Sequence, residues 1–161
     1  MLQQNQNNMA GTDRNRGGDL LFVYGTLCRG VCANRYRHLM RGCVYRTKAS
    51  MQGRLYEVAD YPGAVVTGRV RDRIHGELYR VVDGRALSRL DAYEGCSGGF
   101  PEPHEFVRRR LPVTLEGGRK VSAWVYLFNR DPAGLRRIRS GDYRTLRYAV
   151  KRPRSLFAGR N

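Results

Sequence analysis

The feature that most constrains this chain is a succession of short apolar runs with period-two spacing, broken by glycine and proline at intervals too short for long helices. The stretch His75-Gly76-Glu77-Leu78-Tyr79-Arg80-Val81 alternates in this way. So, more loosely, do the segments 43–58 and 69–82 that surround the turn Asp60-Tyr61-Pro62-Gly63. Alternation of this kind marks strands with one face buried. Leu20-Leu21-Phe22-Val23-Tyr24 is apolar and rich in strand formers and stops at Gly25, which reads as a buried strand that ends in a turn. Two further strands, 106–115 and 121–128, flank Glu116-Gly117-Gly118-Arg119, whose glycines suit a hairpin. Helices are fewer. A short one fits 34–40, and Ala86, Leu87, Leu90 and Tyr93 share a helical face that Asp83 can cap and Gly95 can end. So many short antiparallel strands must curl or be covered to hide their edges. The expected fold is therefore α+β: a small, curled, mainly antiparallel β-barrel with peripheral helices.

One domain suffices for 161 residues. Residues 1–18 are Gln, Asn, Gly and Arg with almost nothing apolar to bury, and are expected to be a disordered basic and polar tail. The domain should cover 19–150, with the stretch beyond Asn129 irregular and a basic C-terminal tail at 151–161. No stretch reaches the roughly 18 apolar residues of a membrane span, and the N-terminus lacks a signal-peptide core, so a cytoplasmic protein without membrane contact is expected. The formal net charge is +16 and all but three of the 30 basic residues are arginine. This predicts non-specific attraction to polyanions, but the arginines are spread along the chain rather than gathered in a block. Cys28, Cys32, Cys43 and Cys96 include no CxxC pair and are expected to be reduced thiols, Cys28 being the one to watch for reactivity. His38, His75 and His104 have no ligand spacing, so no metal site is expected.

Two places could carry chemistry. The turn Tyr24-Gly25-Thr26-Leu27 leaves backbone N–H groups free to meet a carboxylate or a developing oxyanion. Glu94 lies on the last turn of the helix that Gly95 ends, where the macrodipole disfavours a carboxylate and raises its pKa toward the range of a proton shuttle. The loop Cys96-Ser97-Gly98-Gly99-Phe100-Pro101-Glu102-Pro103 follows it and is the lid candidate.

Five segments, in order, resemble the γ-glutamylcyclotransferase superfamily, including its γ-glutamylamine cyclotransferase and plant avirulence-induced-protein-like (AIG2-like) branches. They are Phe22 to Gly30, with its YGTL-type turn; Gly53 to Val58 with Tyr61 to Val65; Gly76 to Val81; Leu87 to Gly95, with an LDxxEG-like helix end; and Ile138 to Arg144. The resemblance spans roughly residues 20 to 145. It implies the cyclotransferase type of curled barrel, a substrate pocket at Tyr24, Gly25, Thr26 and Leu27, and Glu94 as the acid/base. The implied substrate is a small γ-glutamyl amide or amine, whose own α-amine attacks the side-chain carbonyl to give 5-oxoproline and free amine. This is an intramolecular acyl transfer with the outcome of an amine lyase, and the scheme requires no metal and no cofactor. Where many members carry a pocket tyrosine, this chain has Phe106, which lacks the hydroxyl. Two other readings stand beside the enzyme: a non-catalytic binding or regulatory protein of the same fold, and a nucleic-acid-associated basic protein.

Overall fold

The computed structural model describes residues 18–32 and 34–150. The expectations for the two tails therefore lie outside the described residues, apart from Gly18. The chain runs β1 (Leu20–Val23), a 3₁₀ helix (Asn34–Met40), β2 (Cys43–Gln52), β3 (Arg54–Glu57), β4 (Pro62–Val65), β5 (Arg73–Val81), α1 (Arg85–Tyr93), β6 (Phe106–Leu115), β7 (Lys120–Phe128), β8 (Arg136–Ile138) and α2 (Tyr143–Val150). Five strands close a barrel in the order β1-β5-β2-β6-β7, and β4-β3-β8 form a second, three-stranded sheet. Every pairing is antiparallel except the seam, where β1 meets β7 in parallel at Leu21↔Trp124.

The continuous apolar run of β1 follows from its two buried faces. Successive strand residues point to opposite sides. Phe22 and Tyr24 enter the barrel interior with Met51, Leu78, Val113 and Val125. Leu21 and Val23 instead face an outer core with Tyr79, Val81, Ala86 and Leu90, beneath α1. The helix is amphipathic for that reason, and its buried residues Ala86 and Leu90 are the ones that meet the barrel.

Three local expectations change. The single strand region 43–58 is two strands in different sheets, divided at Gly53, whose amide donates to the Asp72 carbonyl at 3.1 Å. Pro62 and Gly63, read as part of a turn, begin β4. The stretch after Asn129, read as irregular, contains β8 and α2. β8 is only three residues long, so it carries too little alternation to be seen without its partner β3.

Two buried carboxylates tie these pieces together. Asp72 accepts hydrogen bonds from Arg54 (2.7 Å), Arg137 (2.8 Å) and Thr67 (3.0 Å), joining β3, β8 and the β4–β5 connection. Glu77, on β5, accepts from the Tyr79 hydroxyl (2.7 Å) and the Arg29 amide (2.9 Å), with the Arg29 guanidinium 3.5 Å away. That second set anchors the segment after β1 to the barrel wall. Charges drawn out of water are tolerated only when their hydrogen-bonding capacity is met in this way.

Candidate functional site

The chain leaves β1 through Tyr24, whose hydroxyl donates to the Tyr126 carbonyl at 2.6 Å and accepts from the Ala64 amide at 3.3 Å. Both bonds are to backbone, so Tyr24 acts as a strut between β7 and β4, and its ring forms part of the cavity wall. Burial, reinforced by the charge of Glu94, pushes its pKa up and keeps the phenol neutral. The following turn closes when the Cys28 amide donates to the Gly25 carbonyl at 3.1 Å. Among the described residues, the amides of Gly25, Thr26 and Leu27 have no intramolecular acceptor. Three successive N–H groups at the edge of a cavity form an arrangement that accepts an anionic oxygen.

Glu94 caps the C-terminus of α1. Gly95 takes φ +66°, its amide donates to Ala92, and the Cys96 amide reaches back to Asp91 at 3.0 Å. This is the Schellman arrangement, which a residue with a Cβ could hold only under strain. At the other end of α1, Asp83 accepts from the Arg85 amide at 3.0 Å. The sequence-based helix limits therefore hold to within a residue. The helix end aims Glu94 into the cavity that the Gly25–Leu27 turn borders. Burial first, and the nearby Glu105 carboxylate second, raise the Glu94 pKa to about 7. A carboxyl group poised there can both take and return a proton near neutrality.

The cavity measures about 270 Å³, and Tyr24, Gly25, Thr26, Leu27, Glu94 and Phe106 all line it. Two stretches almost seventy positions apart thus border one cavity. Phe106 is buried and packs against Tyr61 and Phe128, with ring centroids 6.0 and 5.8 Å away. The pocket does not lack hydroxyls on that account, because Tyr61 and Tyr93 also line it. Tyr61 donates to Glu105 at 3.1 Å, and Thr26 lies within hydrogen-bonding reach of Tyr93. Glu105, Tyr61 and Tyr93 were not picked out from sequence as site residues. Glu105 sits one residue before a strand and Tyr61 was read within a turn, so neither carried a local signal. The remaining wall includes Leu21, Val23, Leu90 and Tyr126, and among the described residues no lysine or arginine borders the cavity.

Two expectations about the surroundings change as well. None of residues 95–104 lines the cavity, so the proposed lid loop does not cover it here. Cys28 is a buried thiol whose Sγ donates to the Val23 carbonyl at 3.3 Å. Burial, and then Glu77, push its pKa up, so it is a packing residue rather than a reactive one. All four cysteines are free. Among the described residues no cluster of His, Cys, Asp and Glu is arranged to hold a metal ion, and no helix is long and apolar enough to cross a membrane.

The family described as "Gamma-glutamyl cyclotransferase, AIG2-like" matches residues 21–145. The "Gamma-glutamylcyclotransferase family protein YtfP" of Escherichia coli K12 is 33% identical over 130 residues, covering 76% of this chain and 94% of that protein. The solution structure of ytfP from E. coli superposes with a TM-score of 0.53 at 30% identity, covering 77% of this chain and 95% of its own. The crystal structure of YkqA from Bacillus subtilis superposes with a TM-score of 0.63 at 24% identity, over 83% of this chain and 42% of its own, a likeness of fold.

Proposed function

Because this chain belongs to the gamma-glutamyl cyclotransferase, AIG2-like family, we propose that it cyclises a γ-glutamyl amide or amine to 5-oxoproline and releases the free amine, with Glu94 as the acid/base. The observation that carries this reading is the meeting, in one cavity, of a carboxyl group with a pKa near 7 and three backbone amides that have no acceptor among the described residues.

The reaction forms a bond from the substrate's α-nitrogen to its δ-carbonyl carbon and breaks the bond from that carbon to the leaving nitrogen. Since nucleophile and electrophile belong to one molecule, the site's main task is to hold the folded conformer. The apolar wall of Leu21, Val23, Leu90 and Phe106 packs the methylene chain and excludes water. The amides of Gly25, Thr26 and Leu27 hold either the α-carboxylate or the oxyanion that develops at the δ-carbonyl. Glu94, ionised, takes the proton that the α-amine loses on attack. It then delivers that proton to the leaving nitrogen, which is too basic to depart as an anion. Glu105, hydrogen-bonded to Tyr61, supplies the second negative charge of the pocket, which draws in the substrate's ammonium group; that group gives one proton to solvent before the neutral amine attacks.

The test is a panel of γ-glutamyl amines, γ-glutamyl amino acids and glutathione, assayed for 5-oxoproline. Wild type should turn over at least one class. Glu94→Gln, which keeps shape and removes the proton acceptor, should lose at least ~100-fold in kcat. A wild-type-like rate in Glu94→Gln ends the catalytic assignment. Tight binding across the panel without product supports a binding protein of this fold instead.

A further inference from the structure

The barrel has a second mouth. β2 and β6 pair only at Ala49↔Leu115 and Ser50↔Thr114, and the register of β2 against β5 slips between Tyr45 and Thr47. Away from that short ladder the strands diverge, and a cavity of about 840 Å³ opens between β2 and the β6–β7 hairpin. It shares no lining residue with the Glu94 cavity. Its floor is the barrel interior itself: Leu20, Leu78, Leu115 and Val121 border both the cavity and the inner core. Arg80 lies two residues after Leu78 on β5, so it projects from the same face into this mouth.

The charges around it are strongly one-sided. Arg46, Arg80, Arg110, Arg119 and Lys120 converge on the cavity against one carboxylate, Glu116. Arg110 is paired with Asp19. Among the described residues the other four cations have no ion-pair partner. The Arg80 Nε is moreover buried without a hydrogen-bond acceptor. Elsewhere in the fold an arginine drawn in from solvent finds a carboxylate: Arg54 and Arg137 find Asp72, and Arg144 finds Asp142. At this mouth, then, five cations surround a hollow of about 840 Å³ whose lining includes a single carboxylate, Glu116.

We propose that this mouth binds a phosphate-bearing anion of nucleotide size, at a site separate from the Glu94 pocket. With Arg110 paired to Asp19 and Glu116 in the lining, a net excess of three positive charges remains, which calls for a multiply charged ligand, and guanidinium groups present paired donors that fit phosphate oxygens. The hydroxyls of Thr47 and Ser122 also border the space. The volume suits a small molecule of this size, and the apolar floor can take a less polar portion. Nothing in the proposal depends on cyclotransferase activity.

Calorimetric titration of the full chain at about 150 mM salt, where non-specific attraction is screened, tests it. ATP and tripolyphosphate should each bind saturably with one site, and adenosine should not bind comparably. Equal affinities would identify the phosphate chain as the recognised part, and tighter ATP would add the nucleoside; either supports the site. Arg80→Gln should weaken binding about 10-fold or more. The exposed pair Arg119→Gln/Lys120→Gln should do the same and decides the matter if Arg80→Gln fails to fold. Arg109→Gln, an exposed arginine of β6 outside the cavity that loses the same charge, should change affinity less than about twofold. Equal weakening by Arg109→Gln and the cavity variants, or the absence of saturable binding, overturns the proposal.

Discussion

Glu94 is held with a pKa near 7, above its ordinary value of 4.5, so the folded protein binds a proton there that the unfolded chain has released. The sign of the linkage follows. Its contribution to stability is complete below about pH 4.5 and is lost as the pH rises through 7, by at most on the order of 3 kcal/mol. Glu94→Gln cannot ionise, so it should match wild type in Tm near pH 4.5 and exceed it by roughly 5 °C at pH 8.5, as thermal scans at the two pH values would show. In the wild type, kcat/KM for a γ-glutamyl substrate should climb as the pH passes through 7, where the carboxylate becomes available. Glu105→Gln removes the neighbouring negative charge that helps to raise the Glu94 pKa. The acidic limb of that profile should therefore move to lower pH; an unmoved limb would show that burial alone sets it. The unfavourable position of Glu94 at a helix C-terminus was legible in sequence, but Glu105 was not. Its effect arises from the approach of β6 to the end of α1, and local pattern does not encode that distance.

Element boundaries were readable wherever a turn residue had a physical duty. Gly95 stops α1 at the predicted position because only the left-handed conformation lets its amide and that of Cys96 satisfy the last carbonyls. In the 116–119 hairpin, Gly118 alone takes a positive φ. What escaped detection were pieces whose existence depends on a partner: β4 and β8 are short, and each is a strand only because β3 lies between them. Gly141 shows how tightly that region is seated, since a Cβ there would lie 1.9 Å from the Arg73 carbonyl oxygen, at a φ of +67°. Gly141→Ala should cost more than about 2 kcal/mol, seen as a lowered denaturant midpoint. The docking of α1 rests on Leu90, fully buried against the barrel. Leu90→Ala should destabilise by about 2–5 kcal/mol. It should also depress turnover more than Ala substitutions of equal cost in the inner core, because α1 carries Glu94.

At the scale of the whole molecule, the charge of +16 is the property that composition stated most plainly and interpreted least. Like charges repel across a folded surface, so added salt should stabilise this protein. Raising NaCl from 20 to 500 mM is expected to raise Tm by a few degrees, whereas a fall would mean that the ion pairs around Asp72 and Glu77 outweigh the general repulsion. The parallel seam between β1 and β7 has a consequence of a different kind. Leu21 meets Trp124, and the Tyr24 hydroxyl reaches the Tyr126 carbonyl, across about a hundred residues of intervening chain. β1 thus waits for β7 to emerge before the barrel can close. A nascent chain halted before residue 120 lacks the strand that closes the barrel on β1 and the Tyr126 carbonyl that holds Tyr24, so the wall beside Glu94 is completed only once β7 has emerged.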